Sequence, residues 1–477
     1  MTQVTRRPRP QVPTANTSVR NAPRAQAPHK AAAKARPAGA GAAWFRSPDF
    51  QARLDSLTHS VARTGNSAEL LIDGVESFPR RFARMAEADL ILMKTYNFRE
   101  DDTGRKMVQA LQQRLEAGAK VFLQFDMKGY YRGAGKLAKV GLGVDEAIPP
   151  MLRPLVESGA VLVPTNVPTG LKDLVFIKDH EKYLITWKKG ECPKVIMGGM
   201  NIGDEWAAGG ERRGVASLHH QPGFRDTDIE VAGPVTEDAI QEYVRDVAHH
   251  APDASQALAG ALRELESAER KPGRKSGPVT ARFVSNRPWE GKQGQDIEKL
   301  YCALLSAVPA GETVRLSTPF FLPTDEIVDG LKSAANRGVK FQLLLNPNDT
   351  PEAGFNLVAR GAHHLYRELF SSCPEGSFEF YEWQGNDKAS ALHHKLAIFG
   401  KDGPVMIGSS NLDCHSLRHN SEGVVLIDDR QVRRDFDHMF EADLAAPGVA
   451  QVTGREEPGK REQSKDWFVR KVLRPLI

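Results

Sequence analysis

The sequence predicts an α/β protein built as an internal duplication, and three observations carry that reading. A short phrase is written twice: a His-x-Lys on a predicted strand, then, 18 to 21 residues later, a glycine-rich turn ending in Asn. The first copy is His180-Glu181-Lys182 with Gly198-Gly199-Met200-Asn201, the second His393-His394-Lys395 with Gly408-Ser409-Ser410-Asn411. Each copy is preceded by a strand–helix–strand pattern. Leu90–Phe98 leads to a helical stretch closing in Glu116-Ala117-Gly118-Ala119-Lys120 and then the strand Val121–Phe125; Val314–Leu322 leads to another, closing in Asn336-Arg337-Gly338-Val339-Lys340 and then Phe341–Leu345. Finally, 477 residues with 40% hydrophobic and 26% charged side chains suffice for two domains with full cores.

Taken in order, residues 1–43 form a tail with eight Lys or Arg, no acidic residue and prolines at 8, 10, 13, 23, 28 and 37, a composition predicted to be disordered. A helix from about Trp44 to Arg63 leads into a first lobe, so that the unit spans 44–270. Helical apolar spacing recurs at Ser255–Leu265. Residues 271–278, Lys-Pro-Gly-Arg-Lys-Ser-Gly-Pro, break it and read as a linker. A second lobe follows over 279–446. The remainder, 447–477, ends in the basic amphipathic segment Asp466–Ile477, which suits either an interfacial helix on anionic membrane or a helix docked on its own lobe.

The repeated phrase has a chemical reason. Alternate residues of a strand share a face, so His and Lys at i and i+2 present an imidazole beside an ammonium. Lys gives a point charge for non-bridging phosphate oxygens, Asn an amide donor, and imidazole serves as nucleophile or proton carrier near neutral pH. Two copies facing each other let one His attack phosphorus while the other protonates the leaving oxygen, with no metal and no cofactor expected. His394 points to the opposite face from His393 and Lys395 and reads as packed rather than catalytic. The pairs His219-His220 and His363-His364 lack accompanying Cys or carboxylates at ligand spacing, which argues against a metal site. The four cysteines, 192, 302, 373 and 414, contain no CxxC and read as reduced thiols.

The stretches Gly198–Trp206 and Gly408–Asp413, with Ser416-Leu417-Arg418-x-Asn420-x-Glu422 close behind, resemble the phospholipase D superfamily, in particular its bacterial cardiolipin synthase-like branch, from about Leu70 to about Asp443. The resemblance implies two pseudo-symmetric α/β lobes, each a mixed, mostly parallel sheet flanked by helices, one active site between them, and a phosphohistidine intermediate. Carried onto this sequence, it implies His180 and His393 as the catalytic pair, with His180 favoured as nucleophile, Lys182 and Lys395 as phosphate clamps, and Asn201 and Asn411 as oxyanion donors. Ser409 adds a hydroxyl where the first copy has Gly199. Glu422 is implied as the carboxylate that fixes a His tautomer, and Asp228 as its first-half counterpart, with Asp226 the rival. The family's Asp seven residues after the motif His is replaced here by Trp187 and Gly400; Asp402 can substitute in the second copy if its hairpin is longer.

The implied function is a phosphatidyltransferase or phosphodiesterase acting on phospholipids, with cardiolipin the product if phosphatidylglycerol is the acceptor. A superfamily nuclease is the alternative, and a binding protein that keeps the fold a further one. Expected partners are a phospholipid substrate and an anionic membrane surface, with nucleic acid less favoured. The tail lacks a secretory signal's apolar core, and no uncharged apolar run of about 18 residues occurs. The expected location is cytoplasmic and peripheral to a membrane. The loop Tyr130–Pro150 is expected to shape headgroup and acceptor choice.

Overall fold

The computed structural model describes residues 42–133, 148–168, 177–210, 223–266, 276–347, 355–386, 389–453 and 459–473. Most of the basic tail, residues 134–147 of the expected pocket loop, His219, His220, and linker residues 271–275 lie outside them. In chain order the first half contributes β1 (Arg63–Ile72), β2 (Leu90–Thr95), β3 (Lys120–Asp126), β4 (Val161–Thr165), β5 (Tyr183–Trp187), β6 (Lys194–Gly198), β7 (Gly223–Arg225) and β8 (Thr227–Ala232). The second contributes β9 (Val279–Asn286), β10 (Thr313–Ser317), β11 (Phe321–Leu322), β12 (Lys340–Leu345), β13 (Phe378–Trp383), β14 (Ala389–Leu392), β15 (Leu396–Phe399), β16 (Val405–Gly408), β17 (Leu412–Asp413), β18 (Glu422–Asp428) and β19 (Val449–Val452).

Fifteen of these strands form one sheet, in the order β19-β13-β12-β10-β15-β16-β18-β9-β1-β8-β6-β5-β2-β3-β4. Read outward from the antiparallel β1/β9 pair, the order β8-β6-β5-β2-β3-β4 repeats as β18-β16-β15-β10-β12-β13. The duplication in the sequence is therefore a pseudo-twofold axis in the sheet. The expected mixed α/β architecture is present, but parallel pairing is the smaller share: within this sheet only the two outermost repeated ladders of each half, β2/β3 and β3/β4 or β10/β12 and β12/β13, are parallel. The cause is local. Each motif sits on a short hairpin, β5/β6 or β15/β16, inserted between the parallel strands and the central ones, and a hairpin can only pair antiparallel.

The strands alternate their burial between two helix layers, as a sheet covered on both faces must. In β2, Leu90 and Leu92 join a core shared with Ile398, Val425, Phe436 and Met439 of the second half, whereas Ile91 and Met93 join a core drawn from the first half apart from Ala391. That shared core, under the helices Val235–His250 and Arg430–Leu444, holds the halves at a fixed spacing. Two segments differ from the sequence reading. The leading helix Pro48–Thr58, capped by the Ser47 hydroxyl, packs through Phe50 and Leu54 on the second half, against Leu300 and Leu304. Beyond residue 446, the chain adds the edge strand β19 to β13 before a helix over Lys460–Phe468 and a π-turn over Val469–Leu473.

Candidate active site

Because β5 and β6 run antiparallel, as do β15 and β16, the chain entering the first strand and the chain leaving the second emerge at the same sheet edge. His180 and Lys182 lie just before β5 and Asn201 just after β6; His393 and Lys395 lie just before β15 and Asn411 just after β16. Each His-x-Lys is thus an extended lead-in to its strand. The halves are stitched at this edge. His180 N donates to Ser421 O at 2.9 Å, and His393 N to Arg225 O at 2.7 Å, where β14 pairs in parallel with β7. The buried Arg225 guanidinium spans the seam, donating to Asp73 Oδ2 and to Asp443 Oδ1, each at 2.8 Å.

Each imidazole is completed by the opposite half. His180 Nδ1 lies 2.8 Å from Glu422 Oε1, and His393 Nδ1 lies 2.6 Å from Asp226 Oδ2. With a carboxylate as acceptor the proton resides on Nδ1 and the Nε2 lone pair is left for phosphorus or a proton. Both imidazoles keep 11% of their side-chain surface open while the two carboxylates keep none, so only the rings are reachable.

The sheet register decides the counterpart of Glu422. Gly198 pairs with Asp228 and Gly408 with Val424, so the residue two places earlier is Asp226 in one half and Glu422 in the other. Asp228 is instead fully buried against Arg81, Oδ2 to Nη2 2.7 Å, and accepts from Ser77 Oγ at 2.5 Å. The expectation that Asp228 matches Glu422 is corrected to Asp226. Sequence spacing misleads here because 25 residues separate Asn201 from Asp226 but only 11 separate Asn411 from Glu422.

The remaining site residues gather around these pairs. Lys182 Nζ donates to His180 O at 2.5 Å, and Lys395 Nζ, bonded to His393 O, stands 3.1 Å from His393 Nδ1 and 3.4 Å from its Nε2. Asn201 Oδ1 accepts from Asn97 N at 2.9 Å, which leaves its NH2 as the free end of the amide. Ser409 Oγ donates to Glu422 Oε2 at 2.5 Å and accepts from Gly423 N at 3.0 Å. The first half needs glycine at this place: a Cβ on Gly199 would stand 2.1 Å from Asp226 Oδ1.

Residues 303–444 match the family described as cardiolipin synthase, PLD-like domain. The chain is 25% identical over 389 residues to cardiolipin synthase B of Escherichia coli K12, covering 80% of this chain and 82% of that protein. It is 24% identical over 396 residues to cardiolipin synthase A of Pseudomonas aeruginosa, covering 82% and 70%. Its fold is that of the crystal structure of phosphatidylserine synthase from Haemophilus influenzae, with a TM-score of 0.63 at 13% identity over 90% of this chain and 99% of the other. The second half thus matches a phospholipase D-like domain, and most of the chain is similar to cardiolipin synthases.

In this pair of half-sites the charges are tuned by burial. Burial, then Lys182 and Lys395, hold the His180 imidazole well below its ordinary pKa, and burial with Lys395 and Lys182 does the same to His393. Both rings are therefore neutral in the empty site. Burial also pulls Lys182 down to about 7 against the attraction of Glu422, pushes Glu422 up to about 8, and pushes Asp226 up to about 6. An arriving phosphodiester anion favours the charged lysine and an imidazolium together.

Several neighbours were not foreseen in the sequence. His393 is stacked on Phe224 at 5.4 Å, and Trp206 Nε1 stands 3.3 Å from its Nδ1; His180 meets the edge of Tyr96 at 4.9 Å. Trp206 and Tyr96 lie within the Gly198–Trp206 and Leu90–Phe98 stretches, though with no role assigned there, whereas Phe224 carries no signal in the sequence. Behind the rings the two halves differ. Lys94 is buried in ion-pair contact with Asp179, Glu181 and Asp246, three carboxylates close enough together to hold a metal but here gathered on an ammonium. The corresponding place in the second half is neutral: His394, packed as expected, bonds Ser317 Oγ at 2.6 Å and Thr227 Oγ1 at 3.3 Å.

The hairpin turns lacking the family's Asp are braced from outside. Lys189 N donates to Asp89 Oδ2 at 2.7 Å, and Lys401 N to Glu312 Oε2 at 2.5 Å. Glu312, rather than the Asp402 suggested by the sequence, supplies the carboxylate there. His363 pairs with Glu382 at 2.6 Å on the helix Phe355–Ser372, away from both motifs.

Proposed function

We propose that the protein is a phospholipase D-type phosphatidyltransferase that acts on phospholipids at an anionic membrane surface through a phosphohistidine, with cardiolipin as the product when a phosphatidylglycerol hydroxyl is the acceptor. The reading rests on one observation above the rest: each motif histidine has its Nδ1 held by a buried carboxylate of the other half, His180 by Glu422 and His393 by Asp226, which leaves two Nε2 atoms at one edge. In the first step His180 Nε2 attacks phosphorus, the bond from phosphorus to the departing alcohol breaks, and the proton that His393 Nε2 takes up when the phosphodiester anion binds passes to that oxygen. In the second, the acceptor hydroxyl gives its proton to His393 Nε2 and attacks phosphorus, the P–N bond breaks, and His180 is restored. Lys182, Lys395, Asn201 and Asn411 hold the non-bridging oxygens throughout, where charge develops in each transition state.

Purified protein incubated with phosphatidylglycerol vesicles, followed by mass spectrometry, tests this. Cardiolipin with released glycerol, or phosphatidic acid, is the expected outcome. Nicking of plasmid DNA with no lipid product would replace the reading with the nuclease alternative.

A further inference from the structure

Among the described residues, the large apolar side chains left exposed are Val61, Val75, Val156, Ile177, Trp467 and Phe468. The two aromatic ones are neighbours in sequence, 51% and 47% exposed. A fraying terminus would give the same exposure, but this one is docked. The next two residues, Val469 and Arg470, are buried; a Cβ added to Gly361 would lie 3.3 Å from Val469 Cγ1, and Arg470 Nη2 reaches Asp325 Oδ1 at 3.5 Å. The π-turn over Val469–Leu473 thus fixes the segment on the helix Phe355–Ser372 and presents Trp467 and Phe468 outward.

The place of docking matters. That same helix covers β11, where Gly361 meets Leu322, and β11 pairs in parallel with β17, which begins immediately after Asn411. The aromatic pair is therefore carried on the layer next to the second half-site. Residues 460–473 hold five basic and two acidic side chains, and Lys465 and Lys471 are exposed on either side of the rings. Half-exposed Trp and Phe framed by cations fit the headgroup region of a bilayer, where rings bury in the acyl boundary and ammonium groups meet phosphates. A second copy of the chain fits less well, since a twofold contact through this patch would set its lysines against their own kind.

We infer that Trp467 and Phe468, framed by Lys465 and Lys471, are the edge by which the rim of the second half-site is laid on an anionic lipid surface. The inference rests on the phospholipid reading above and names the surface that reading requires.

The test compares the full chain with Trp467→Ser/Phe468→Ser and with Lys465→Glu/Lys471→Glu. Cosedimentation with mixed phosphatidylcholine and phosphatidylglycerol vesicles is measured at low salt and at about 1 M salt, where the Debye length is about 3 Å. The aromatic variant should lose at least about tenfold in partitioning at both salts, since apolar burial is not screened. The charge-reversed variant should lose binding at low salt and match the wild type at high salt. Turnover of a short-chain, monomeric phosphatidylglycerol should be the same in all three, which also reports that they are folded. Vesicle binding by the aromatic variant equal to wild type would overturn the inference, as would an oligomer that falls apart in that variant while vesicle binding persists. A wild type that binds vesicles but does not turn over the short-chain lipid would refute the functional reading instead, leaving the binding comparison intact.

Discussion

Exchanging the carboxylate behind His393 for an amide separates the two candidate aspartates. In Asp226→Asn the amide has two neighbours to satisfy: Thr227 N, which donates to Oδ1 at 2.8 Å, and His393 Nδ1, 2.6 Å from Oδ2. Keeping the amide oxygen on Thr227 turns the NH2 toward Nδ1, which then must accept, so the proton moves to Nε2. Rotating the amide would restore the tautomer but leave the Thr227 N–H facing an NH2, a buried unpaired donor costing about 1 to 3 kcal/mol and so disfavoured about 5- to 150-fold. Loss of the carboxylate's attraction for the imidazolium adds to this, and amide replacement in a comparable buried triad costs about 10⁴ in rate. We expect turnover to fall about 10²- to 10⁴-fold. Stability should hardly change, because burial already pushes the Asp226 pKa up to about 6 and a neutral group suits the site. Asp228→Asn should do the reverse. It leaves the Arg81 guanidinium, 2% exposed, without its charge partner, which costs about 3 to 5 kcal/mol of stability. The assay is cardiolipin or phosphatidic acid formation per folded molecule, beside thermal unfolding. An Asp226→Asn enzyme within tenfold of wild type, or an Asp228→Asn enzyme that is inactive yet unfolds at the wild-type temperature, would refute the register argument.

The free-enzyme kcat/KM should be bell-shaped. It rises as Asp226 and Glu422 ionise, their pKa values raised by burial to about 6 and about 8, and falls as Lys182, which burial lowers to about 7, loses its charge with increasing pH. Lys182→Arg should push the falling limb upward by more than a unit; an unmoved limb would show that another group sets it. His180→Ala and His393→Ala should each abolish turnover, and the double variant should be hardly worse, since nucleophile and acid act as a unit. Near-normal rates in either single variant would sink the two-half mechanism. Activity should survive EDTA because two lysines and two asparagines already meet the phosphate; complete loss restored by a divalent ion would contradict that. Lys94→Met should lower stability by about 3 to 5 kcal/mol, having stranded three buried carboxylates, whereas Ser317→Ala at the neutral equivalent should cost about 1 to 3 kcal/mol. Equal urea midpoints would show the ionic cluster to be no more than a neutral support.

The duplication, the α/β class and the two His-x-Lys phrases were legible because each is a local pattern that survives being read one residue at a time. What escaped was relational. Nothing in the order Arg225-Asp226-Thr227-Asp228 says which carboxylate faces a histidine, since that is set by the pairing of β6 with β8 and by a seam to the other half. The fusion of both halves into one sheet depends on β1 meeting β9, strands 213 residues apart at the Asn66–Val279 pair. Antiparallel pairing outweighs parallel because the short hairpins carry six of the ten antiparallel ladders of the large sheet, whereas the strand–helix–strand pattern draws the eye to the parallel ones. Phe50 and Leu54 show that the helix is amphipathic but not which half supplies the groove.

Pseudo-symmetry makes the two histidines formally exchangeable, and the structure breaks that equivalence behind the rings. A phosphorylated His180 keeps its Nδ1–H and carries positive charge, so it benefits from negative charge nearby. Three carboxylates gathered on Lys94 lie behind its ring, whereas Glu422, pushed up to about 8 by burial, adds charge only once ionised. Burial opposes an ammonium at Lys94, yet Asp179, Asp246 and Glu181 together hold its pKa well above the ordinary value. Burial pushes the Glu181 carboxyl far up, opposed by Lys94 and reinforced by Asp246 and Asp179. His393 has the opposite need, since a general acid must give its proton away. Phe224 and Trp206 wall its ring with apolar surface, and the support behind it, His394 with Ser317 and Thr227, is neutral. Such surroundings make an imidazolium a stronger acid. The asymmetry therefore supports His180 as nucleophile and His393 as acid, on grounds independent of their order in the chain.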